Sequence, residues 1–282
     1  MAQAIINGIL IGGLYAIIGV GMSIIFGIVK LTNLAHGEFV VLAAYFSLAI
    51  SAATGLNPGL SLILVGPIMF FIGFAIQNLI VNRLMPRGAE APLLVMFGMS
   101  IIIQNVILQV FSADPQHLTN PLDTSNFALG NAVVPTTFLI DCVIGVCVIL
   151  ALNVFMKHTY VGMAVRAVSD DTTAAKIMGI NVNLIYGVAM GIAMVTSAVA
   201  GVLVGQTYNF YPTTGSQYLI ISFGIVVIGG MGSIKGTLVA GLIFGLAQLL
   251  GGFLFGTTLQ LLAGYIIILI MLAVKPQGLF AK

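Results

Sequence analysis

Charge is the scarcest resource in this chain: nine Lys or Arg and seven Asp or Glu give 9 + 7 = 16 charged residues in 282. Four of them, Arg166, Asp170, Asp171 and Lys176, fall inside one stretch, YVGMAVRAVSDDTTAAKIMGINV (160–182). Read locally, that stretch spells a short helix from about 171 to 178. Ser169 or Asp170 can serve as its N-cap, Asp171 suits the positive end of the helix dipole, and Lys176 suits the negative end. Gly179 is placed to end it in a left-handed conformation, with apolar Ile180 following. Ala174, Ala175 and Met178 would share one face, two small residues for close approach and one adaptable side chain for packing. Such a helix either docks a separate partner or is a stray turn in a solvated loop.

Other candidates for chemistry are few. No G-x-x-x-x-G-K-[ST] occurs, and Gly230–Gly236 carries its glycines and Lys235 in the wrong order for a phosphate loop. Neither G-x-S-x-G nor H-E-x-x-H is present. His36, His117 and His158 lie on different connections without metal-ligand spacing. The chain is therefore not read as an enzyme, and no cofactor or metal is expected on it. No basic tract could hold nucleic acid. Cys142 and Cys147 sit in one apolar run, rotated apart on a helix, and read as buried thiols. Polar residues inside apolar runs are costly in lipid and tend to face cavities; here they are Asn7, Tyr15, Gln104, Asn105, Asp141 and Gln248. Gln104 and Asn105 could bond a neighbouring helix or line a pathway, and Asp141 falls near an outer segment end where water could reach it. Asn33, His36 and Glu38 form a polar cluster at the cytoplasmic end of the first two segments. It is either a gate or a capped helix start, with Asn33 capping a helix that begins near Leu34.

The elements that must position these residues are apolar. With 60% hydrophobic and 6% charged residues, the chain cannot clothe a water-facing surface, since a soluble domain carries about a quarter charged. Nine apolar segments stand out, at 4–29, 37–54, 59–82, 91–112, 133–156, 184–206, 217–231, 237–255 and 258–274. A re-entrant or broken piece near 33–38 or 217–231 would reduce the count to eight. The first run is too long, and too free of preceding Lys or Arg, to be a secretory signal. Lys30, Arg83 with Arg87, Lys157 with Arg166 and Lys176, Lys235, and Lys275 with Lys282 fall on alternate connections. The intervening ones, including 113–132 with Asp114 and Asp123, carry no Lys or Arg. The positive-inside rule then places the N-terminus in the periplasm and the C-terminus in the cytoplasm. Glycine pairs four residues apart (Gly8/Gly12, Gly187/Gly191, Gly201/Gly205, Gly241/Gly245, Gly252/Gly256) call for close helix crossings. The expected fold is an all-α, polytopic bundle of eight or nine transmembrane helices. It forms one domain over residues 1–282, with a cytoplasmic loop at 157–183.

Thr173-Ala174-Ala175-Lys176-Ile177-Met178-Gly179 resembles the EAA-x3-G coupling loop of bacterial ABC importer permeases, with Thr in place of the usual Glu. Gly13–Ala16, Asn33-Leu34-Ala35-His36-Gly37-Glu38, Gly229–Gly236 and Lys275–Phe280 are similar to stretches of the LivH-type permeases of branched-chain amino acid importers. The resemblance runs from about residue 5 to residue 280. It implies one of two permease subunits in the bacterial inner membrane, paired with an M-type permease. Two cytoplasmic ATPases carrying ATP and Mg, and a periplasmic substrate-binding protein, would complete the assembly. Related systems move urea or short-chain amides. Carried onto this sequence, Ala174, Ala175 and Gly179 would seat the coupling helix in a groove of the ATPase. Arg166, Asp170 and Asp171 would position it by polar contacts. The rival expectations are a stand-alone carrier or channel, which would leave this helix without a partner, and an intramembrane enzyme.

Overall fold

A computed structural model describes residues 1–119, 126–129 and 132–280; Asp123 lies outside them. Among the described residues, nine helical segments are long and apolar enough to cross a membrane, and the chain is a multi-pass membrane protein. The helices are α1 (Ala2–Val29), α2 (His36–Thr54), α3 (Pro58–Ile76), α4 (Asn82–Leu84), α5 (Glu90–Phe111), α6 (Thr136–His158), α7 (Tyr160–Asp170), α8 (Thr172–Ile177), α9 (Val182–Thr207), α10 (Gly215–Gly229), α11 (Ile234–Phe255) and α12 (Gln260–Val274). Among the described residues, the strand structure is a small antiparallel hairpin, β1 (Asn126–Leu129) with β2 (Ala132–Pro135), and an isolated bridge between Gln116 and Phe210. The hairpin takes the residues expected to open the fifth span, so that span starts at Thr136.

Local sequence explains several boundaries. Asn57 caps α3 by accepting the Gly59 N–H at 2.9 Å, with Pro58 at the first helical position, where its missing N–H costs nothing. A π-helical turn at Gln77–Val81 joins α3 to α4. There Gln77 donates to Asn82 Oδ1 (2.9 Å), and Asn82 donates to Asn78 Oδ1 (3.0 Å) and to the Asn183 carbonyl (3.1 Å).

α1 is the hub. It is flanked by α11, α9, α6 and α10, and it is buried along most of its length. Its crossing with α11 is built on the predicted glycine pairs: Gly8 and Gly12 face Gly241 and Gly245. A Cβ at Gly12 would fall 2.7 Å from Leu242 Cα, and one at Gly245 would fall 2.7 Å from Gly12 Cα. No side chain fits there, so the backbones meet and recover dispersion contacts that lipid cannot offer more cheaply. Gly187 and Gly191 likewise receive Phe74, Asn78 and Phe70 of the α3 side, and Gly201 packs on α2. The fifth pair is different: Gly256 terminates α11 with φ 94° and meets no second helix.

Two helices start deep inside the bundle. His36, the first residue of α2, is fully buried and its Nε2 bonds the Ile18 carbonyl at 2.9 Å. Ile18 lies roughly 16 Å along α1 from Val29 at about 1.5 Å per residue. Residues 30–35 therefore climb back beside α1 as non-helical chain before α2 begins. Of the Asn33–Glu38 cluster, expected at the cytoplasmic end of the spans, Asn33 lies beside Ile25 and Val29 near the end of α1, while His36 reaches mid-height of that helix. α10 mirrors this from the other side. After α9 ends at Thr207, the chain turns back through Phe210, whose ring meets Tyr45 edge-on at 5.0 Å. It then starts α10 at Gly215, packed against Gly37 and Glu38 of α2. Irregular backbone at this depth is tolerated only where protein buries it or a wet cavity receives it.

Candidate functional site

The charged stretch folds as two helices, where a single one was expected. Thr159 caps α7 by accepting the Gly162 N–H at 3.0 Å. α7 ends at Asp170, and Asp171 stands between the helices in an extended conformation as the N-cap of α8. The cap is thus Asp171, not Ser169 or Asp170: its Oδ1 accepts from Thr173 N at 2.7 Å and Ala174 N at 3.0 Å. Those two bonds hold the Asp171 carboxyl below the ordinary aspartate pKa. Ser169 donates to the Gly27 carbonyl at 2.6 Å, tying α7 to the end of α1. Arg166 reaches the Lys157 carbonyl at 3.3 Å, and Asp170 is exposed.

The far end of α8 closes as the sequence predicts. Gly179 has φ 82°, its N–H bonds Lys176 O at 3.0 Å, and Ile180 N–H bonds Ala175 O at 3.0 Å. Paired bonds of this kind around a left-handed glycine satisfy the last carbonyls of a helix that is only six residues long. The predicted face is corrected, however. Ala175 is 3% exposed and turned into the chain, where α8 rests on α7 and α9. Ala174 is exposed, as are Ile177 at 81% and Met178 at 80%. Positions 174, 177 and 178 stand one helical turn apart and form the outward apolar face. Ile177 was not singled out from the sequence, because nothing local tells which side of so short a helix is covered.

In the interior, Asn33 does not cap a helix at Leu34. Its Oδ1 accepts the Ala35 N–H at 3.0 Å and its carbonyl accepts the His36 N–H at 3.1 Å, a turn that delivers the chain into α2 at His36. His36 bonds α1 through Nε2, and its buried Nδ1 has no partner among the described residues. Glu38 is 5% exposed, its carboxyl wedged against Gly215, and its Oε2 has no hydrogen-bond partner among the described residues. Gln104 and Asn105 join neither group. Asn105 is exposed on α5 and turns its amide back to the Ile101 carbonyl at 2.8 Å; Gln104 is half-buried. Asp141, expected within reach of water, is 1% exposed and accepts a hydrogen bond from the Thr207 hydroxyl.

The sequence flagged Tyr15 and Gln248 separately, and the structure brings them to one place. Both line a cavity of about 490 Å³ bounded by α1, α10, α11 and the start of α12. Tyr208 and Tyr218 join them in its lining. The returning chain 208–214 forms one wall of the cavity. The only sequence signal for it was polar residues in apolar runs; the wall itself, a non-helical return, has no such mark.

Residues 4–274 match the family described as the permease component of the branched-chain amino acid transport system. The chain is similar to the high-affinity branched-chain amino acid transport system permease protein LivH of Escherichia coli K12, at 28% identity over 99% of this chain and 95% of that one. It is equally similar to the Pseudomonas aeruginosa permease BraD (28%, 99% and 95%). A probable LivH of Methanocaldococcus jannaschii is 25% identical over 97% of this chain and 90% of its own. Among solved structures, PsaBC from Streptococcus pneumoniae in complex with Fab shares the fold with a TM-score of 0.53 at 18% identity, covering 98% of this chain and 92% of that one. Nine apolar helices, close glycine crossings and a whole-length match leave one conclusion: this chain belongs to the branched-chain amino acid transport system permease family.

Proposed function

We propose that the chain forms half of the translocation pathway of an ATP-driven importer for branched-chain or related amino acids in the bacterial inner membrane. An M-type permease forms the other half. Two cytoplasmic ATPases bind ATP and Mg, and a periplasmic binding protein delivers the substrate. The N-terminus lies outside and the C-terminus inside, as the distribution of Lys and Arg supports. The domain is single, and the 157–183 segment is its coupling loop.

The observation that carries this reading is the outward face of α8. A helix of six residues is too short to hold itself together in water; here it is capped at both ends and anchored through Ala175. It presents Ala174, Ile177 and Met178 away from the bundle. Large apolar side chains displayed on a rigid helix beyond the spans fit a groove on another protein. ATP binding closes the ATPase pair, α8 moves with it, and α7 transmits the shift to α1 through the Ser169–Gly27 bond and to α9. Arg166 and Asp170 steer the docking from the rim. Asn33 and His36 fix the start of α2, while the unpartnered Glu38 belongs to the part of the pathway that rearranges.

Co-expression with the ATPases encoded beside this chain, followed by affinity purification in mild detergent, tests the assignment. Met178→Glu places a charge on the docking face and should abolish co-elution while leaving the permease in the membrane. Equal recovery of the ATPases with the variant would remove α8 from the interface.

A further inference from the structure

We infer that the cavity between α1, α10, α11 and α12 is a seat for the zwitterionic head of an amino acid, occupied during passage. This inference rests on the reading of the chain as an amino-acid permease and adds where, and by what groups, the substrate is held.

The cavity lies at the end of α9 far from α8, and among its described lining residues none is charged or a histidine. Its walls instead carry neutral hydrogen-bonding groups, chiefly Tyr15, Tyr208, Tyr218, Gln248, Thr257 and Thr258. A fixed lysine or carboxylate in so apolar a setting would select an ion of net charge and hold it tightly. A wall of hydroxyls and amides matches a ligand that is polar yet carries no net charge.

Two features point to opposite charges on that ligand. The first is the start of α12. The 3-10 turn Thr257–Leu259 and α12 together begin in the cavity wall, preceded by Gly256, with no side-chain cap and no acid in the first turn. The Leu259 and Gln260 N–H groups bond the Gly256 and Thr257 carbonyls. This leaves the N–H groups of Thr257 and Thr258, with the positive end of a helix of 15 residues behind them, to face an anionic group. α10 also begins at this cavity, but its first turn already faces the carboxyl of Glu38 at Gly215. α12 is the start that remains open for a carboxylate.

The second feature is Gln248. Its side chain is 3% exposed and lines the cavity, and its Oε1 has no hydrogen-bond partner among the described residues. A buried, unmatched amide oxygen is destabilising unless a donor arrives. Set in the cavity wall, that oxygen is an acceptor suited to an ammonium group. The carboxylate goes to α12, the ammonium to Gln248, and the aliphatic side chain to the apolar walls at Ile221 and Leu261. Dipoles in place of fixed charges keep the affinity low enough for release.

The test uses the whole importer in native membranes. Ser216→Cys introduces a thiol on the exposed lip of the cavity. Its rate of reaction with a membrane-impermeant maleimide is measured with and without L-leucine, the chain without this change serving as the control for Cys142 and Cys147. Leucine should slow labelling about fivefold, whereas isoamylamine and 4-methylpentanoate, each bearing one charged group, should not. Gln248→Leu should abolish the protection and cut leucine uptake about tenfold without changing recovery of the ATPases. Should Ser216→Cys fail to fold, Thr213→Cys on the same wall reports in its place. Full leucine uptake without protection would overturn the seat and leave the permease reading standing. Protection equally strong with either single-charged analogue would overturn the zwitterion assignment. An importer that takes up no amino acid, and shows no protection, would overturn both.

Discussion

α1 and α12 are nearly equal in mean hydropathy, yet 83% of the most apolar window of α1 is buried inside the chain, against 11% for the span that contains α12. In water such similarity would predict similar burial. In a bilayer it does not, because lipid solvates a leucine face as well as another helix does. What separates the two helices is backbone access. α1 places Gly8, Gly12 and Gly13 where α11 and α6 press directly on its main chain. α12 instead presents Leu262, Leu269 and Ile270 outward. Hydropathy decides which segments enter the membrane, and small residues decide which become the centre.

The contrast can be broken most forcefully at α1. Gly12→Leu should separate α1 from α11 at a cost of about 3 kcal/mol or more, in the range of severe overpacking. Detergent-extracted protein would then elute as aggregate in size-exclusion chromatography. A monodisperse peak at wild-type yield would show that the crossing tolerates separation. The next largest effect sharpens the same distinction on α8, between neighbouring alanines of opposite exposure. Ala175→Glu buries an unpaired charge and should lower the amount of folded permease several-fold. Ala174→Glu should leave that amount unchanged while reducing uptake about tenfold. Equal yields for the two variants would erase the inner and outer faces assigned here.

At the rim, Leu269→Ala, at 65% exposure, should shift stability by less than about 0.5 kcal/mol, the usual size for exposed sites. A loss approaching that of Gly12→Leu in a thermal melt would mean that α12 is covered in the assembly. The smallest effect concerns the Asp171 cap. Its folded pKa lies below the unfolded value, so the stability it contributes is fully present above the ordinary aspartate pKa of about 3.9 and is lost as pH falls through the lowered value. Hydrogen-exchange protection of residues 173–178, corrected for the intrinsic rate, should stay flat from pH 7 to about 5 and decline only in stronger acid. Asp171→Asn should keep the cap and remove that decline; an unchanged decline would assign it to another group.

Spans were legible because the need for about 20 apolar residues leaves a mark along the sequence. The α1–α11 crossing was half legible: four-residue glycine spacing announced close approach but not the partner. The Gly179 end of α8 was legible, since capping is chemistry between near neighbours. Its start reads too early, at Ser169 or Asp170, because Ser and Asp are both good caps and the sequence does not show that α7 runs on to Asp170. The outward face of α8 was not legible, because Ala174 and Ala175 are the same residue and only α7 and α9 beneath them tell which is covered. The deep start of α2 was also hidden. Asn33–Glu38 reads as a polar interruption whichever way the chain then travels, and only the His36–Ile18 bond fixes the direction. Gln104 and Asn105 misled for a related reason: adjacency in sequence gave them a common role, and the helix points them to different surroundings.

The deep starts of α2 and α10 also bear on how the chain enters the bilayer during synthesis. These are the two least apolar of the nine candidate spans, and each opens beside non-helical backbone. Emerging alone from the ribosome, neither offers the insertion machinery a segment as persuasive as α1. Their seats exist only once α1 is in place: the Ile18 carbonyl receives His36, and α10 in turn packs on both α1 and α2. The nascent chain thus carries an order of assembly, in which the first helix to be made is the template on which the hesitant ones are later threaded.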